Sequence, residues 1–543
     1  MNPERRGLIL VVVVLLISGV LGGIYGPSVR ATTAATDDYQ TAVRDFTNVL
    51  SVVQANYADS VDADKAVYQG AIPGMLRMLD PHSNFFDARQ FALLREDQRG
   101  KYYGVGMVVA PRENRTVVMS PYVGAPAYNA GLRPGDVITK VDEKSTEGLS
   151  TSEVADLLKG PKGTIVKITV TREGFSDPLV FTVTRDEIPR HSVDISYIIK
   201  PGIGYIRLNQ FNETTDKEIA EALKQLGANS LDGLILDLRG NPGGLLNEAV
   251  AVGDMFLEKG QLIVSYHGRS APERRFFALR GNQGLNVPLV VIVNNNSASA
   301  AEIVSGAIQD HDRGLIVGQR TWGKGLVQSV YTLSYGAGLA LTTARYYTPS
   351  GRWIQRDYTD LLAYVNPGDP DSVAGAQTGD EAPHGESAVF YTDAGRIVYA
   401  QGGITPDVIV KNDRDSKLLQ QLLARYAFFN FAVDWLARHP NASGDIEVTP
   451  EIRQDFFKFV ENSAKYSTAA DLQKAYDEDA NRSLVDLAIR IEIENAKLGP
   501  EAGRRAFASG DPQIQKALTL FGEASRIAGL PKKKREMAVK AGG

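Results

Sequence analysis

The chain has no cysteine among its 543 residues, which removes disulfides, thiolate nucleophiles, zinc–thiolate sites and iron–sulfur clusters together. Any nucleophile must be oxygen or nitrogen. A positive excess is also missing: 59 Lys and Arg face 64 Asp and Glu, for a formal net charge of −5, so no global cationic field is available to hold a nucleic-acid backbone. Histidine is scarce, with six in the whole chain, which leaves few candidates for an imidazole base. There is no repeat at solenoid periods and no Gly-x-Ser-x-Gly elbow, so the motif of the α/β-hydrolases is absent. A hydrophobic fraction of 43% with 23% charged residues excludes wholesale disorder and a polytopic membrane protein. The length leaves room for about three or four domains.

One long apolar run is present, Gly7 to Gly26, behind Arg5 and Arg6. As a helix it would rise ~30 Å, about one hydrocarbon core, and the basic flank would keep its N-terminal side cytoplasmic. Residues 1–30 therefore read as a signal anchor or signal peptide. Ala31, Ala34 and Ala35 offer the small residues a cleavage site would need, but the length of the run favours an uncleaved anchor. The expected location is the bacterial cell envelope, periplasmic or extracytoplasmic, held at the cytoplasmic membrane.

Periodicity divides the remainder. Residues 36–98 read as a helical cap, with Ala42, Val43, Phe46, Val49, Leu50 and Val53 at helical spacing. Residues 99–188 turn to short strands (Val117–Ser120, Val137–Val141, Ile165–Thr171, Leu179–Thr184) around one helix, Glu153–Lys159, opened by the capping box Ser150-x-x-Glu153. Residues 189–410 alternate strands (Gly204–Leu208, Leu234–Leu238, Leu289–Val293, Leu315–Gly318) with helices (Thr215–Leu226, Leu245–Leu257, Ala301–Gln309), which is an α/β rhythm. A flexible insertion near 358–395, richest in Pro, Gly, Asp and Ser over Asn366–Ser387, interrupts it. From 411 to 543 the chain reads as a helical extension ending in the basic cluster Lys532–Arg535.

Two strand ends in the α/β part carry chemistry. Asp237-Leu238-Arg239-Gly240-Asn241-Pro242-Gly243-Gly244 sits between a strand and a helix, and its glycines can bare amides to an anion or a developing oxyanion. It lacks the Gly-Lys-Ser/Thr ending of a phosphate loop. Asn294–Glu302 places Ser297 and Ser299 at a second strand-to-helix elbow, where a serine either caps the helix or projects a nucleophilic hydroxyl. A nucleophile needs a base. His311 lies 12 residues beyond Ser299, ~18 Å away along a helix, and His82, His191, His267, His384 and His439 have no triad-like context. Lysine is the other base, provided burial keeps it neutral. Lys324, beside Trp322 and between Gly323 and Gly325, fits that requirement.

These segments resemble the carboxyl-terminal processing peptidases, or tail-specific proteases, over roughly residues 40 to 410. The matching motifs are Leu79-Asp80-Pro81-His82-Ser83, Gly104-Val105-Gly106-Met107, Asp237-Leu238-Arg239 with Asn241 to Gly244, Ser297-Ala298-Ser299-Ala300, Gly323-Lys324-Gly325 with Gln328, and Gly403-Ile404-Thr405-Pro406-Asp407. The resemblance implies a multidomain α/β protein with a crotonase/ClpP-like peptidase core and an inserted β-rich PDZ domain. It makes Ser299 the nucleophile, Lys324 the base 25 residues on, and Gln328 the residue that orients the lysine. Gly244 and Ala300 amides form the oxyanion hole. Gly104, Val105, Gly106 and Met107 would receive the carboxylate of a protein tail with an apolar C-terminus, with Arg172 sensing it or coupling the module to the active site. No metal or organic cofactor is called for. Ala301 stands where many relatives have a third serine. The rival expectations are a non-catalytic PDZ scaffold that binds tails, and a peptidase with a histidine base like the tricorn-type relatives. Apolar faces on the cap and the extension are compatible with a homo-oligomer.

Overall fold

The computed structural model describes residues 38–365, 388–400, 402–411, 417–442, 446–462, 476 and 479–530. The apolar run 7–26, the stretch Asn366–Ser387, His384 and the terminal basic cluster lie outside them. No helix among the described residues is long and apolar enough to cross a membrane.

The chain divides after Asp87, earlier than the expected end of the cap at 98. In the first unit a helix over 38–56 carries Tyr39, Val43, Phe46, Val49 and Val53 on its exposed surface. Further along, the Asp80 carboxylate gathers the amides of His82 and Ser83, each at 2.8 Å, so the Asp-Pro-His-Ser motif is a side-chain-stapled turn.

The second unit begins with the β-module. Strands β1 (Met107–Arg112), β2 (Arg115–Pro121), β3 (Val137–Val141), β4 (Ile165–Thr171) and β5 (Leu179–Thr184) pair antiparallel in that order, with helix α1 (Thr151–Leu158) between β3 and β4 in sequence. Ser150 and Glu153 form the expected capping box, with the Ser150 amide donating to the Glu153 carboxylate at 2.8 Å. Alternate residues of β4, Val166, Ile168 and Val170, point into the module's core, as a half-buried strand requires.

The α/β part contains β6 (Val193–Lys200), β7 (Ile203–Leu208), α2 (Thr215–Gln225), β8 (Gly233–Asp237), α3 (Leu246–Phe256), β9 (Leu262–His267), β10 (Arg274–Phe277), β11 (Leu289–Val293), α4 (Ala300–Asp310), β12 (Leu315–Gly318), β13 (Leu326–Thr332), β14 (Gly338–Tyr347), α5 (Leu361–Val365), β15 (Val389–Tyr391), β16 (Ile397–Tyr399) and β17 (Val408–Ile409). One sheet has the order β6-β7-β8-β11-β12-β17, parallel except for β6 against β7. Its central strands β8 and β11 are buried throughout, which explains their unbroken apolar runs. Strands β13-β14-β9-β10 pair antiparallel in a second sheet, which the sequence reading did not anticipate.

The remaining helices are α6 (Lys417–Ala424), α7 (Ala427–Arg438), α8 (Pro450–Asn462), α9 (Asp479–Leu498), α10 (Pro500–Ser509), α11 (Pro512–Ala517) and α12 (Phe521–Ile527). They divide between two cores. Residues of α6 to α9 share their own core around Phe428, Phe431, Trp435 and Phe456. By contrast, Ile514, Ala517, Leu520 and Ala524 pack on Ile235, Val290, Ile292, Leu315 and Val317 of the parallel sheet. The opposite residues of those strands, including Leu236, Val291, Val293 and Ile316, face α2 to α4. The period-2 alternation of the strands thus feeds two helix layers, and the second layer comes from the far end of the chain.

The two ends of the insertion expected near 358–395 carry regular elements. Helix α5 buries Tyr364, whose hydroxyl accepts a hydrogen bond from Trp322 Nε1 at 3.0 Å. β15 and β16 form a hairpin, and Asp393 N donates to Asp310 O at 2.9 Å. Buried aromatic contact and backbone pairing fix these ends on the α/β part.

Candidate active site

The elbow after β11 separates its two serines by environment. Ser297 is fully buried; its hydroxyl donates to Leu238 O at 2.8 Å and accepts from Asn294 N at 3.0 Å. It ties the elbow to the end of β8. Ser299 is half-buried and stands at φ 55°, ψ −113°, a conformation that costs a non-glycine residue about 1–3 kcal/mol and that clusters at functional sites. Its carbonyl accepts from Glu302 N at 2.8 Å, Ile303 N at 2.9 Å and the Tyr346 hydroxyl at 3.3 Å. Tyr346 is itself buried, which lifts its phenol well above its ordinary range.

Glu302, in the first turn of α4, organises what surrounds Ser299. Its carboxylate is completely buried and accepts from Ser299 N at 2.8 Å, Lys324 N at 2.9 Å, Gly323 N at 2.7 Å and Thr321 Oγ1 at 2.5 Å. One oxygen, Oε2, takes both the Ser299 and the Lys324 amides. The elbow and the loop that follows β12 are therefore fastened to a single atom. Burial pushes the Glu302 carboxyl up, and these hydrogen bonds offset only part of that.

The loop from Gln319 to Gly325 is packed tightly enough to need its glycines. A Cβ on Gly323 would sit 2.9 Å from Gly403 N, and one on Gly325 would sit 3.0 Å from Gln355 N. Lys324 between them is half-buried. Trp322 N donates to Ser297 O at 2.9 Å, a second strap between loop and elbow. Gln328 lies on β13, with Nε2 3.4 Å from Thr342 Oγ1 of β14.

The glycine turn after β8 faces the same elbow. Asn241 pins it through three bonds: Nδ2 to Leu208 O at 2.8 Å, O from Ala298 N at 2.9 Å and Oδ1 from Gly243 N at 2.9 Å. A Cβ at Gly243 would lie 2.7 Å from Ser299 Cβ and 2.9 Å from Ala300 N, and one at Gly244 would lie 2.0 Å from Phe211 O. Only glycine fits either place. Among the described residues neither Gly244 N nor Ala300 N has a hydrogen-bond acceptor. Gly244 is exposed while Ala300 is buried at the start of α4.

Behind the turn, Asp237 is fully buried and is gripped by Arg239, whose Nε reaches both oxygens (3.0 and 3.1 Å) and whose Nη2 reaches Oδ2 at 2.6 Å. The Tyr205 hydroxyl adds a bond at 2.8 Å. Burial alone would raise the Asp237 carboxyl, but Arg239 holds it below its ordinary value. The sequence reading gave no role to Glu302 or Tyr346. The pattern Ser299-x-x-Glu302 is itself a capping-box signal, so Glu302 was open to discovery; Tyr346 carried no such mark.

In the β-module, Gly104, Val105, Gly106 and Met107 connect the strand Lys101–Gly104 to β1. Val105 O and Gly106 O are engaged by Ala127 N at 2.8 Å and Tyr122 N at 3.0 Å. A groove of about 1060 Å³ runs past Gly104, Val105, Met107, Ala155 and Leu158 and reaches Arg504 of α10. Arg172 does not line this groove. Its guanidinium is paired with buried Asp136 at 2.6 and 2.8 Å and with Gly131 O at 2.8 Å, so its carboxylate partner is one of its own module. In the second unit the described histidines have partners away from the elbow: His191 with Glu218, His267 with Tyr347, His311 with Asp393 and Leu262 O, and His439 with Trp435. Among the described residues no group of three or more His, Asp or Glu side chains could hold a metal ion.

Residues 202–360 match the model of peptidase family S41, and residues 117–172 match that of the PDZ domain. The carboxy-terminal-processing protease of Bartonella bacilliformis is 40% identical over 335 residues, covering 60% of this chain and 76% of that one. The chain belongs to this family. A second member, the carboxyl-terminal-processing protease of Synechocystis sp., is 40% identical over 53% of this chain and 68% of its own. Among solved structures, the photosystem II D1 C-terminal processing protease shares 31% identity over 66% of this chain and 85% of that chain, with a TM-score of 0.34. The S41 carboxy-terminal processing proteases are serine-type peptidases, and this chain carries both their peptidase and their PDZ modules.

Proposed function

We propose that Ser299 is the nucleophile and Lys324 its base, in an exported endopeptidase that selects substrates by their C-terminal tails. The observation that carries this reading is the shared Glu302 oxygen: the amides of Ser299 and Lys324 converge on Oε2, and Ser299 stands at a positive φ at the head of α4, a strained conformation of the kind that clusters at functional sites. Neutral Lys324 takes the hydroxyl proton as the Ser299 oxygen adds to the scissile carbonyl. The amides of Gly244 and Ala300 donate hydrogen bonds to the carbonyl oxygen as it takes on negative charge. Collapse breaks the C–N bond, and the leaving nitrogen takes from the Lys324 ammonium the proton that came from Ser299. Water, deprotonated by the same lysine, then releases the acyl group. Gln328 orients the lysine from β13.

The core is of crotonase/ClpP-like type, a reading supported by its largely parallel sheet between two helix layers. The groove beside Gly104–Met107 holds the substrate's tail as an added strand, and its lining by Val105, Met107 and Leu158 favours apolar terminal residues. The run Gly7–Gly26 behind two arginines supports export and anchoring at the cytoplasmic membrane.

The test is incubation of the full chain with tagged peptides that differ only in their last residues, read by mass spectrometry. The parent should cleave those with apolar ends, and Ser299→Ala and Lys324→Ala should bind them and leave them intact. Turnover retained in either variant would overturn the dyad.

A further inference from the structure

The C-terminal helices were the part of the chain to which the family motifs assign nothing, and they reach the active-site turn directly. Arg239 immediately precedes Gly240–Gly244. The half of its guanidinium not used by Asp237 points away from the motif-bearing core: Nη1 donates to both oxygens of Asp511, each at 2.9 Å, and to Gln513 Oε1 at 2.8 Å. Arg239 is 7% exposed and Asp511 0%. The two groups stand 272 residues apart in sequence.

Asp511 is held in turn. It caps α11 by accepting from Ile514 N at 2.9 Å. Gln513 donates from Nε2 to Val410 O at 2.8 Å, beside the edge strand β17. Helices α11 and α12 cannot shift as a way of accommodating the loss, because Ile514, Ala517, Leu520 and Ala524 are locked into the sheet below. Phe507 of α10 adds an aromatic face 5.8 Å from the Arg239 guanidinium carbon.

We propose that Asp511 and Gln513 are positioning residues of the peptidase, acting through Arg239 to hold the Gly240–Gly244 turn where its amide meets the reacting carbonyl. The inference rests on the reading of Gly244 as an oxyanion donor. A guanidinium fixed on one edge only, by Asp237, can pivot about that edge. Fixed on both edges it cannot, and the chain from Arg239 to Gly244 inherits a single orientation. The segment that family resemblance leaves outside the core is thus part of the active-site support.

The test uses the full chain with Asp511→Asn, which keeps the side chain's shape, and the double variant Asp511→Asn/Gln513→Glu, which returns one carboxylate to the same guanidinium. Active sites are counted from the acylation burst with a peptide ester, and kcat and KM are measured on a peptide amide with the same tail. Asp511→Asn should lower kcat per active site roughly tenfold to a hundredfold with KM nearly unchanged, and the double variant should recover most of that loss. If Asp511→Asn lowers only thermal stability and the number of active sites, with kcat per site at the parental value, the residues are structural and the proposal fails. A parent that shows neither burst nor turnover would overturn the serine reading and this inference with it.

Discussion

Glu302 and Asp237 are both completely buried around the candidate site, yet their surroundings meet their charge by different means. Glu302 is met by neutral donors, three backbone amides and the Thr321 hydroxyl, and burial leaves its carboxyl raised. For Asp237 the same burial is outweighed by Arg239, and its carboxyl is depressed. A cage of amides fixes backbone positions at the cost of an easily protonated carboxylate. A guanidinium keeps the charge and transmits orientation, here to Asp511 and Gln513 of the C-terminal helices. The elbow and the lysine loop are held by the first device and the glycine turn by the second.

Removing the first device should do the most damage. Glu302→Ala leaves the amides of Ser299, Gly323 and Lys324 without an acceptor, and at about 1–3 kcal/mol for each buried unsatisfied group the loss should exceed about 3 kcal/mol. Turnover should fall at least a hundredfold, on the order expected for a lost oxyanion-hole donor. Asp237→Asn should cost less, about 1–3 kcal/mol, because Arg239 keeps Asp511 and Gln513. Urea midpoints and steady-state rates on the two variants check the ranking, and equal losses would erase the distinction.

The smallest effect is the most discriminating. A carboxyl raised above 4.5 favours the protonated folded form, so the contribution of Glu302 declines as pH rises from 4.5 through its folded value. Asp237, depressed below 3.8, contributes stability that is present above 3.8 and lost as pH falls through its folded value. Denaturant midpoints across pH should therefore show Glu302→Gln gaining on the parent as pH climbs from 4.5 toward neutrality. The gap between Asp237→Asn and the parent should stay flat there and close only under 3.8. Parallel curves for the two variants would show that the opposing shifts are not real.

Much of this was legible in the sequence where local pattern is enough. Val137–Val141, Ile165–Thr171, Leu179–Thr184, Leu289–Val293 and Leu315–Gly318 are strands at the expected bounds, because unbroken or alternating apolar runs bounded by turn residues leave few alternatives. The choice between Ser297 and Ser299 was not legible from the elbow itself, since both precede the helix; burial and positive φ separate them only in three dimensions. Strands β9, β10, β13 and β14 escaped notice because they are half-exposed and mix polar with aromatic residues. The apolar positions Ile514, Ala517, Leu520 and Ala524 mark helices, but nothing local says that they cover the peptidase sheet. Asp511 and Arg239 meet across 272 residues, a pairing no periodicity encodes.

The central claim is that one hydroxyl, activated by one lysine, forms the covalent intermediate. Rapid quenching of the full chain with a peptide ester, followed by peptide mapping of the acyl group by mass spectrometry, tests it directly. Acylation of Ser299 is expected in the parent, with none in Lys324→Ala on the same timescale. An acyl group on Ser297, or acylation of Lys324→Ala at the parental rate, would contradict it.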